Sequence, residues 1–303
     1  MDNGRVPMPS RRLALAVPLL LTFRASAQDA GAEATMTWLA ADVSMGAGNP
    51  GQERTVVGPL FEHLSSSWGG AARHRLVIAN AKRSWGMLRA GENACHLMAL
   101  HTPEREAMAY FVDTHLVPPL QLIVRAATLP RLPRNAAGEV DIWRLLRRTE
   151  LQGAVVEGRS YGPALDQLLA QRAGSSQPKS YTPADFGHRL LEMMLLGRVD
   201  YIIDYDFALQ QRKAMMPALQ DLTPVPLMGH DEMLVSGIAC PRTPWGARVV
   251  RRLAALLATP AGVQALKASF DLELSPQARA RYGARIAAYY EQLPEALRRR
   301  AID

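Results

Sequence analysis

The chain is 303 residues long, 48% hydrophobic and 21% charged, with a formal net charge of +7. That length suffices for a large core or two lobes. Its arginines are scattered apart from one run at Arg298, Arg299 and Arg300, so the clustered basic face that nucleic-acid binding needs is missing and that partner is set aside.

The first residues read as an export signal. Arg11 and Arg12 supply a positive end, residues 13–23 (LALAVPLLLTF) an apolar core, and Ala25-Ser26-Ala27 a small-x-small cleavage site. The apolar run falls short of the roughly 20 residues a membrane-spanning helix requires, and no cysteine lies near the cleavage site to take a lipid anchor. Residues 1–27 are therefore expected to be removed from a soluble protein exported to the periplasm, by the general or the twin-arginine route. That segment carries a net +3, which leaves about +4 on the exported part, a modest field that suits an anionic or zwitterionic ligand. Cys95 and Cys240 both lie in the exported part and meet an oxidising compartment, where a disulfide between them is expected. Sequence alone does not establish its geometry.

Along the exported chain, residues 36–41 (MTWLAA) read as a strand, residues 46–51 as a Gly/Asn/Pro loop, and residues 56–64 as a helix. Residues 76–79 (LVIA) and 94–100 (ACHLMAL) read as strands around a short helix at 85–89. Strands alternating with helices indicate a parallel sheet with crossovers. Residues 120–125 (LQLIVR) form an apolar strand after Pro118-Pro119, and residues 130–138 are a turn-rich break. The pattern restarts with a helix at 142–148, the strand 153–157 (GAVVE), a Gly-rich turn at 158–162 and a helix at 164–172. A loop, a helix at 183–196, the strand 199–204 (VDYIID) and a helix at 207–216 follow. Residues 222–227 (LTPVPL) are extended, as their prolines require, residues 234–240 (LVSGIAC) form a strand, and the remainder is helical with breaks at Pro260, Pro276 and Pro294. Two α/β units joined by two extended passages indicate two lobes on a double hinge, the second inserted in the first. Ligand pockets favour such junctions.

Gly158-Arg159-Ser160-Tyr161-Gly162 matches the G-x-S-x-G nucleophile elbow and sits between a strand and a helix, with Asp200 or Asp204 and then His230 in the chain order of a hydrolase triad. No HGG-like oxyanion turn precedes it, and His230 stands in an isolated Gly-His-Asp turn. The same residues serve a second use: a glycine-flanked turn at a helix N-terminus presents free N–H groups to a carboxylate or phosphate. There Ser160 would donate a hydrogen bond and Pro163 would occupy the first helical position. Cys95, His96, His101 and His115 fit no common metal spacing, so no metal and no cofactor are expected.

The order of segments resembles the family-3 (polar amino acid type) extracellular solute-binding proteins. The segments are residues 88–95 (LRAGENAC); Thr102-Pro103-Glu104-Arg105-Glu106 with Tyr110-Phe111; residues 151–156 (LQGAVV) with Gly158-Arg159-Ser160; residues 196–203 (LGRVDYII); and residues 240–246 (CPRTPWG). Each is weak alone, but five in the right order span nearly the whole exported chain. The resemblance implies an α/β, type II two-lobe fold, each lobe a mixed sheet flanked by helices, with a two-strand hinge. Residues 28–120 would open lobe 1, 121–226 form the inserted lobe 2, and 227–303 return to lobe 1.

It also implies a monomeric binder, not an enzyme. Such a protein captures a small carboxylate-bearing solute, an amino acid or a relative, for an ABC-type membrane permease or a sensor ectodomain. An enzyme on the same scaffold, dehydratase-like with Glu157 as its acid, is the rival.

The resemblance puts Arg105 on the ligand's carboxylate, a guanidinium fork matching two oxygens, with Thr102 and the backbone at Leu100 beside it. Ser160 and Arg159 would approach from lobe 2. The acidic residue that holds an ammonium falls among Asp204, Tyr205 and Asp206, where alternation leaves the choice open. Trp38, Trp85, Tyr161 and Tyr205 are candidates for the apolar wall. Leu100 replaces a usual Ser or Thr, and residues 45–51 (MGAGNPG) replace a usual Pro-Pro.

Overall fold

The structure, a computed structural model, describes residue 1 and residues 35–40, 57–70, 72–172, 178–183, 188–271 and 274–302. The export signal and the loop at 45–51 lie outside the described residues. The strands are β1 (Thr35–Ala40), β2 (Arg73–Ile78), β3 (Ala94–Leu100), β4 (Ala109–Val117), β5 (Gln121–Arg125), β6 (Gly153–Val156), β7 (Lys179–Tyr181), β8 (Tyr201–Asp204), β9 (Leu222–Pro226) and β10 (Leu234–Pro241). The helices are α1 (Gly58–Ser67), α2 (Ala81–Arg89), α3 (Pro103–Glu106), α4 (Ile142–Leu145), α5 (Pro163–Ala170), α6 (His188–Leu195), α7 (Asp206–Met215), α8 (Pro244–Leu257), α9 (Pro260–Asp271) and α10 (Pro276–Ile302).

Two sheets result, ordered β2-β1-β3-β10-β4 and β7-β6-β8-β5-β9. Both are mixed. β1 runs parallel to β2 and β3, while β10 runs antiparallel to β3 and β4. In the second sheet β6 is parallel to β7 and β8, and β5 is antiparallel to β8 and β9. The chain crosses between the sheets at 118–120 and returns at 227–233, which makes this a two-lobe α/β fold in which one sheet interrupts the other.

Each sheet is buried on both faces, as near-continuous apolar strands require. In lobe 1, Trp38, Leu97 and Ile238 pack against Leu60, Leu253 and Leu257 on one side. Leu39, Ala99 and Phe111 meet Trp85 and Leu88 of α2 on the other. In lobe 2, Leu122 and Val124 face Leu145 and Leu165, whereas Ile123 between them faces Met194 and Leu219, the period-2 alternation of a strand. Cys95 of β3 and Cys240 of β10 are joined by a disulfide, both fully buried, with Cα atoms 4.4 Å apart.

Two elements stand where the sequence indicated none, and one expectation needs correction. β4 is a nine-residue strand where the sequence reading placed none. α3 is a single helical turn between β3 and β4. Pro294 does not break the C-terminal helix: α10 runs through it, because Tyr282, Ile286 and Tyr290 before it and Leu293 and Leu297 around it all anchor in the lobe 1 core. That burial outweighs the one hydrogen bond the proline removes.

Candidate functional site: the junction between the lobes

Arg105 owes its position to a short capped turn. Thr102 is the N-cap of α3, its Oγ1 accepting the Arg105 backbone N–H at 3.4 Å, and Pro103 starts the helix. The side chain then runs back under the strand end. Its guanidinium lies 4.5 Å over the Trp85 ring, donates through Nη1 to the Leu100 carbonyl at 3.3 Å, and through Nη2 to the Gly158 carbonyl of lobe 2 at 3.2 Å. Arg105 is 8% exposed. Among the described residues no carboxylate lies within ion-pair distance of it. Burial lowers its pKa to about 10, opposed by the charge of Asp166 and reinforced by Arg159. The buried His96 behind it is held neutral, down to about 3, by desolvation and by the Arg105 charge.

The lobe 2 side is the turn from β6 into α5. Gly158 (φ 77°) and Gly162 (φ 89°) take backbone conformations that favour glycine and so fold residues 158–162 tightly at the head of α5. Asp166, one turn into α5, reaches back. It accepts the Ser160 hydroxyl at 2.5 Å and the Tyr161 N–H at 2.7 Å, while Ser160 Oγ in turn accepts the Gly162 N–H at 3.1 Å. The helix N-terminus is thus served by a carboxylate of the same chain. Tyr161 points inward, its hydroxyl accepting the Val156 N–H at 2.8 Å; burial pushes that phenol up to about 12.

Arg159 turns the other way, onto Asp204 at 2.5 Å, with its guanidinium 5.2 Å over Tyr161 and 5.7 Å over Tyr205. Both partners are largely buried, and although burial works against its charge, Asp204 and the two phenols raise the Arg159 pKa. Strand alternation ends within residues 204–206, and the three side chains take different partners. Asp204 closes β8 and faces Arg159. Tyr205 stacks on Phe207 at 4.8 Å. Asp206 already belongs to α7 and is bonded by Ser275, the residue that caps α10, and by Gln210 at 2.8 Å.

The lobes therefore touch on both flanks. Lys82 at the start of α2 pairs with Glu157 at 3.0 Å, Arg105 reaches Gly158, and Asp206 meets Ser275. A Cβ on Gly158 would lie 3.2 Å from the Lys82 backbone nitrogen. Gly158→Val should consequently push the turn off α2 and cost about 1–2 kcal/mol for the left-handed backbone. Small-angle scattering is expected to report a larger radius of gyration for the variant, and an unchanged profile would show that the Gly158 contact does not hold the lobes together.

No protein-family model and no curated protein matches the sequence. Solved structures do match. The Tv2483 protein bound to L-arginine superposes with a TM-score of 0.58 at 14% identity, over 82% of this chain and 93% of that one. A Streptococcus pneumoniae ABC uptake transporter substrate-binding protein with bound histidine gives 0.59 at 11% identity, over 82% and 97%. A histidine kinase sensor domain with similarity to periplasmic binding proteins gives 0.53 at 13% identity, over 88% and 97%. The fold is that of the periplasmic binding proteins.

On this binding-protein fold the expected residues divide into two groups. Arg105, with Thr102 capping its turn and the Leu100 carbonyl accepting from it, reaches the Gly158 carbonyl where the lobes meet, and Tyr205 packs against the cores of both lobes, while Arg159 pairs with Asp204 and Ser160 bonds Asp166 on the lobe 2 side. Trp38 lies apart: it is fully buried inside lobe 1, its indole N–H donating to His74 at 2.9 Å and its ring against Trp68. Tyr161 belongs to the lobe 2 core and supports Arg159 from below. Trp85 is the aromatic that Arg105 rests on.

The enzymatic alternatives are not favoured. Ser160 gives its hydroxyl to Asp166, not to a histidine. Glu157 is half exposed, and its pKa is lowered by hydrogen bonds from Thr182 and Lys82, the opposite of the raised carboxylic acid a dehydratase-like centre needs. The residues missed in the sequence are Asp166, Lys82 and Ser275. Asp166 carried a signal, since an acid in the first turn of a helix complements the dipole, but not the direction in which it turns.

Proposed function

We propose that the chain is an exported solute-binding protein that takes up a small carboxylate-bearing solute between its lobes by hinge closure and presents the closed form to a membrane transporter or sensor. One observation carries this reading. Arg105 is a buried guanidinium at the lobe junction whose side-chain hydrogen bonds go to carbonyl oxygens only. Burying a charge without a counter-charge costs several kcal/mol, and a ligand carboxylate on the same fork would offset that cost. Hinge closure then brings Gly158 of lobe 2 and Arg105 of lobe 1 onto one ligand. The ligands named for the structures of the same fold, L-arginine and histidine, are carboxylate-bearing too. Thermal-shift measurement against amino acids and organic acids is the test, since a ligand that binds only the folded form raises the melt by mass action. A flat response to every carboxylate, with no small molecule released on denaturation and detected by mass spectrometry, would defeat the proposal.

A further inference from the structure

A cavity of about 690 Å³ lies within lobe 2, between α5 and the strands β6 and β7, and Arg105 is not part of its wall. Pockets that hold small molecules measure roughly 300–1,000 Å³. Val155, Leu169, Pro178 and Tyr181 give the cavity apolar walls, and five charged side chains also line it: Glu157, Arg159, Asp166, Arg172 and Lys179. Three of the five are already engaged. Glu157 is paired with Lys82 and takes the Thr182 hydroxyl. Arg159 is paired with Asp204. Asp166 turns to the head of α5, where it accepts the Ser160 hydroxyl and the Tyr161 N–H. The remaining two are cations, and among the described residues neither Arg172 nor Lys179 has an ion-pair partner.

The two cations stand at the same end. β6 and β7 run parallel with Ala154 opposite Lys179 and Val156 opposite Tyr181, which puts Lys179 at the start of the strands and Glu157 just past their finish. α5 returns in the opposite sense, so Asp166 lies near the Glu157 end and Arg172, six residues and about 9 Å further along, near Lys179. The Arg172 Nε is buried and has no hydrogen-bond acceptor among the described residues. The Tyr201 hydroxyl is a second buried atom without a partner there, and it feels the same guanidinium: burial raises the phenol's pKa and the Arg172 charge opposes the rise. A buried donor left without an acceptor is costly, and native structures keep few of them. A carboxylate is acceptor-only and matches the guanidinium fork.

We propose that this cavity is a second binding site, separate from the lobe junction, for a small organic acid whose carboxylate lies on Arg172 and whose apolar body lies along Leu169 and Tyr181. Lys179 adds to the positive field at the head, while Asp166 and Glu157 at the other end disfavour a second negative charge on the ligand. The class is therefore a monocarboxylate with an aryl or alkyl body, and it needs no ammonium.

The test uses Arg105→Ala protein, so that a carboxylate held at the junction is not counted. Its probes are indole-3-acetate, 4-phenylbutyrate and octanoate, each beside its uncharged primary amide. Calorimetric titration should show at least one acid binding about tenfold or more tightly than its amide, the worth of hydrogen bonds to one charged group. Arg172→Gln in the same background should remove that preference, and Leu169→Trp, which fills the apolar wall, should weaken acid and amide alike. Methyl spectra of the wild-type protein need no variant to fold: the acid should shift the Val155 and Leu169 methyl signals. Failure of all three acids to bind, equal affinity for acid and amide, a preference that survives Arg172→Gln, or unmoved Val155 and Leu169 methyls overturns the site. None of these outcomes touches the junction reading, which Arg105 carries, and a junction that binds nothing leaves this site standing.

Discussion

Arg105→Ala is expected to abolish carboxylate binding at the lobe junction while changing the protein's stability only slightly. The two halves of that result have one cause. In the wild type the guanidinium is desolvated, its pKa is lowered to about 10 by burial, and only carbonyl oxygens and an aromatic face receive it. Those contacts recover part of the hydration a cation loses, but not all of it. Truncation removes the unpaid remainder together with a cation–π contact worth about 0.5–2 kcal/mol, so the net change in stability should be small and of either sign. For the bound state the accounting differs. Removing one member of a buried, hydrogen-bonded charge pair costs about 2–5 kcal/mol, or roughly 30- to several thousand-fold in affinity. Arg105→Lys should not restore it, because a compact ammonium cannot span the Leu100 and Gly158 carbonyls and still offer a planar fork to a carboxylate. Calorimetric titration beside denaturant unfolding reads both halves. Retained affinity in the alanine variant would take Arg105 out of the site.

Why that arginine was hard to read locally shows where sequence reasoning stops. Between Glu104 and Glu106 it looks like a solvated helix charge, and only the resemblance to a binding-protein family singled it out. What buries it comes from elsewhere: Trp85 from α2, and Gly158 from a lobe 53 residues further along the chain. Asp166 was invisible for the same reason, since its turn toward Ser160 depends on two left-handed glycines. The buried strands were legible where their apolar runs are unbroken, as at residues 122–124 of β5 and 201–203 of β8.

β4 was not. Its sequence, AYFVDTHLV, interrupts the apolar positions with Asp113, Thr114 and His115, and among the described residues it is an edge strand paired with β10. Thr114 and His115 are nevertheless fully buried: Thr114 donates to the Ser236 carbonyl at 3.2 Å, and burial holds His115 neutral, at about 4. β7 has three residues, too few to show any period.

The disulfide carries the second large effect. An inserted lobe leaves lobe 1 built from two stretches of chain that meet only after everything between them has been threaded through the second sheet. Cys95 and Cys240 join those stretches directly, across neighbouring antiparallel strands and over a separation of 145 residues. Closing so long a loop in the unfolded chain is worth about 5 kcal/mol on entropic grounds, and measured values run at about 2–5. The pair Cys95→Ala and Cys240→Ala should therefore lower the melting temperature by roughly 5–15 °C for a chain of this size.

The loss should also be lopsided. β5 to β9 form a continuous sheet that needs no cross-link, so hydrogen exchange should rise in β1, β3, β4 and β10 well before it rises in lobe 2. Because both sulfurs are inaccessible, a reductant added to the folded wild type should act no faster than lobe 1 opens. A cysteine-free variant that melts with the wild type, or that loses protection evenly in both lobes, would mean that β3 and β10 are held by their ladder and core alone and that the cross-link adds nothing to the discontinuous lobe.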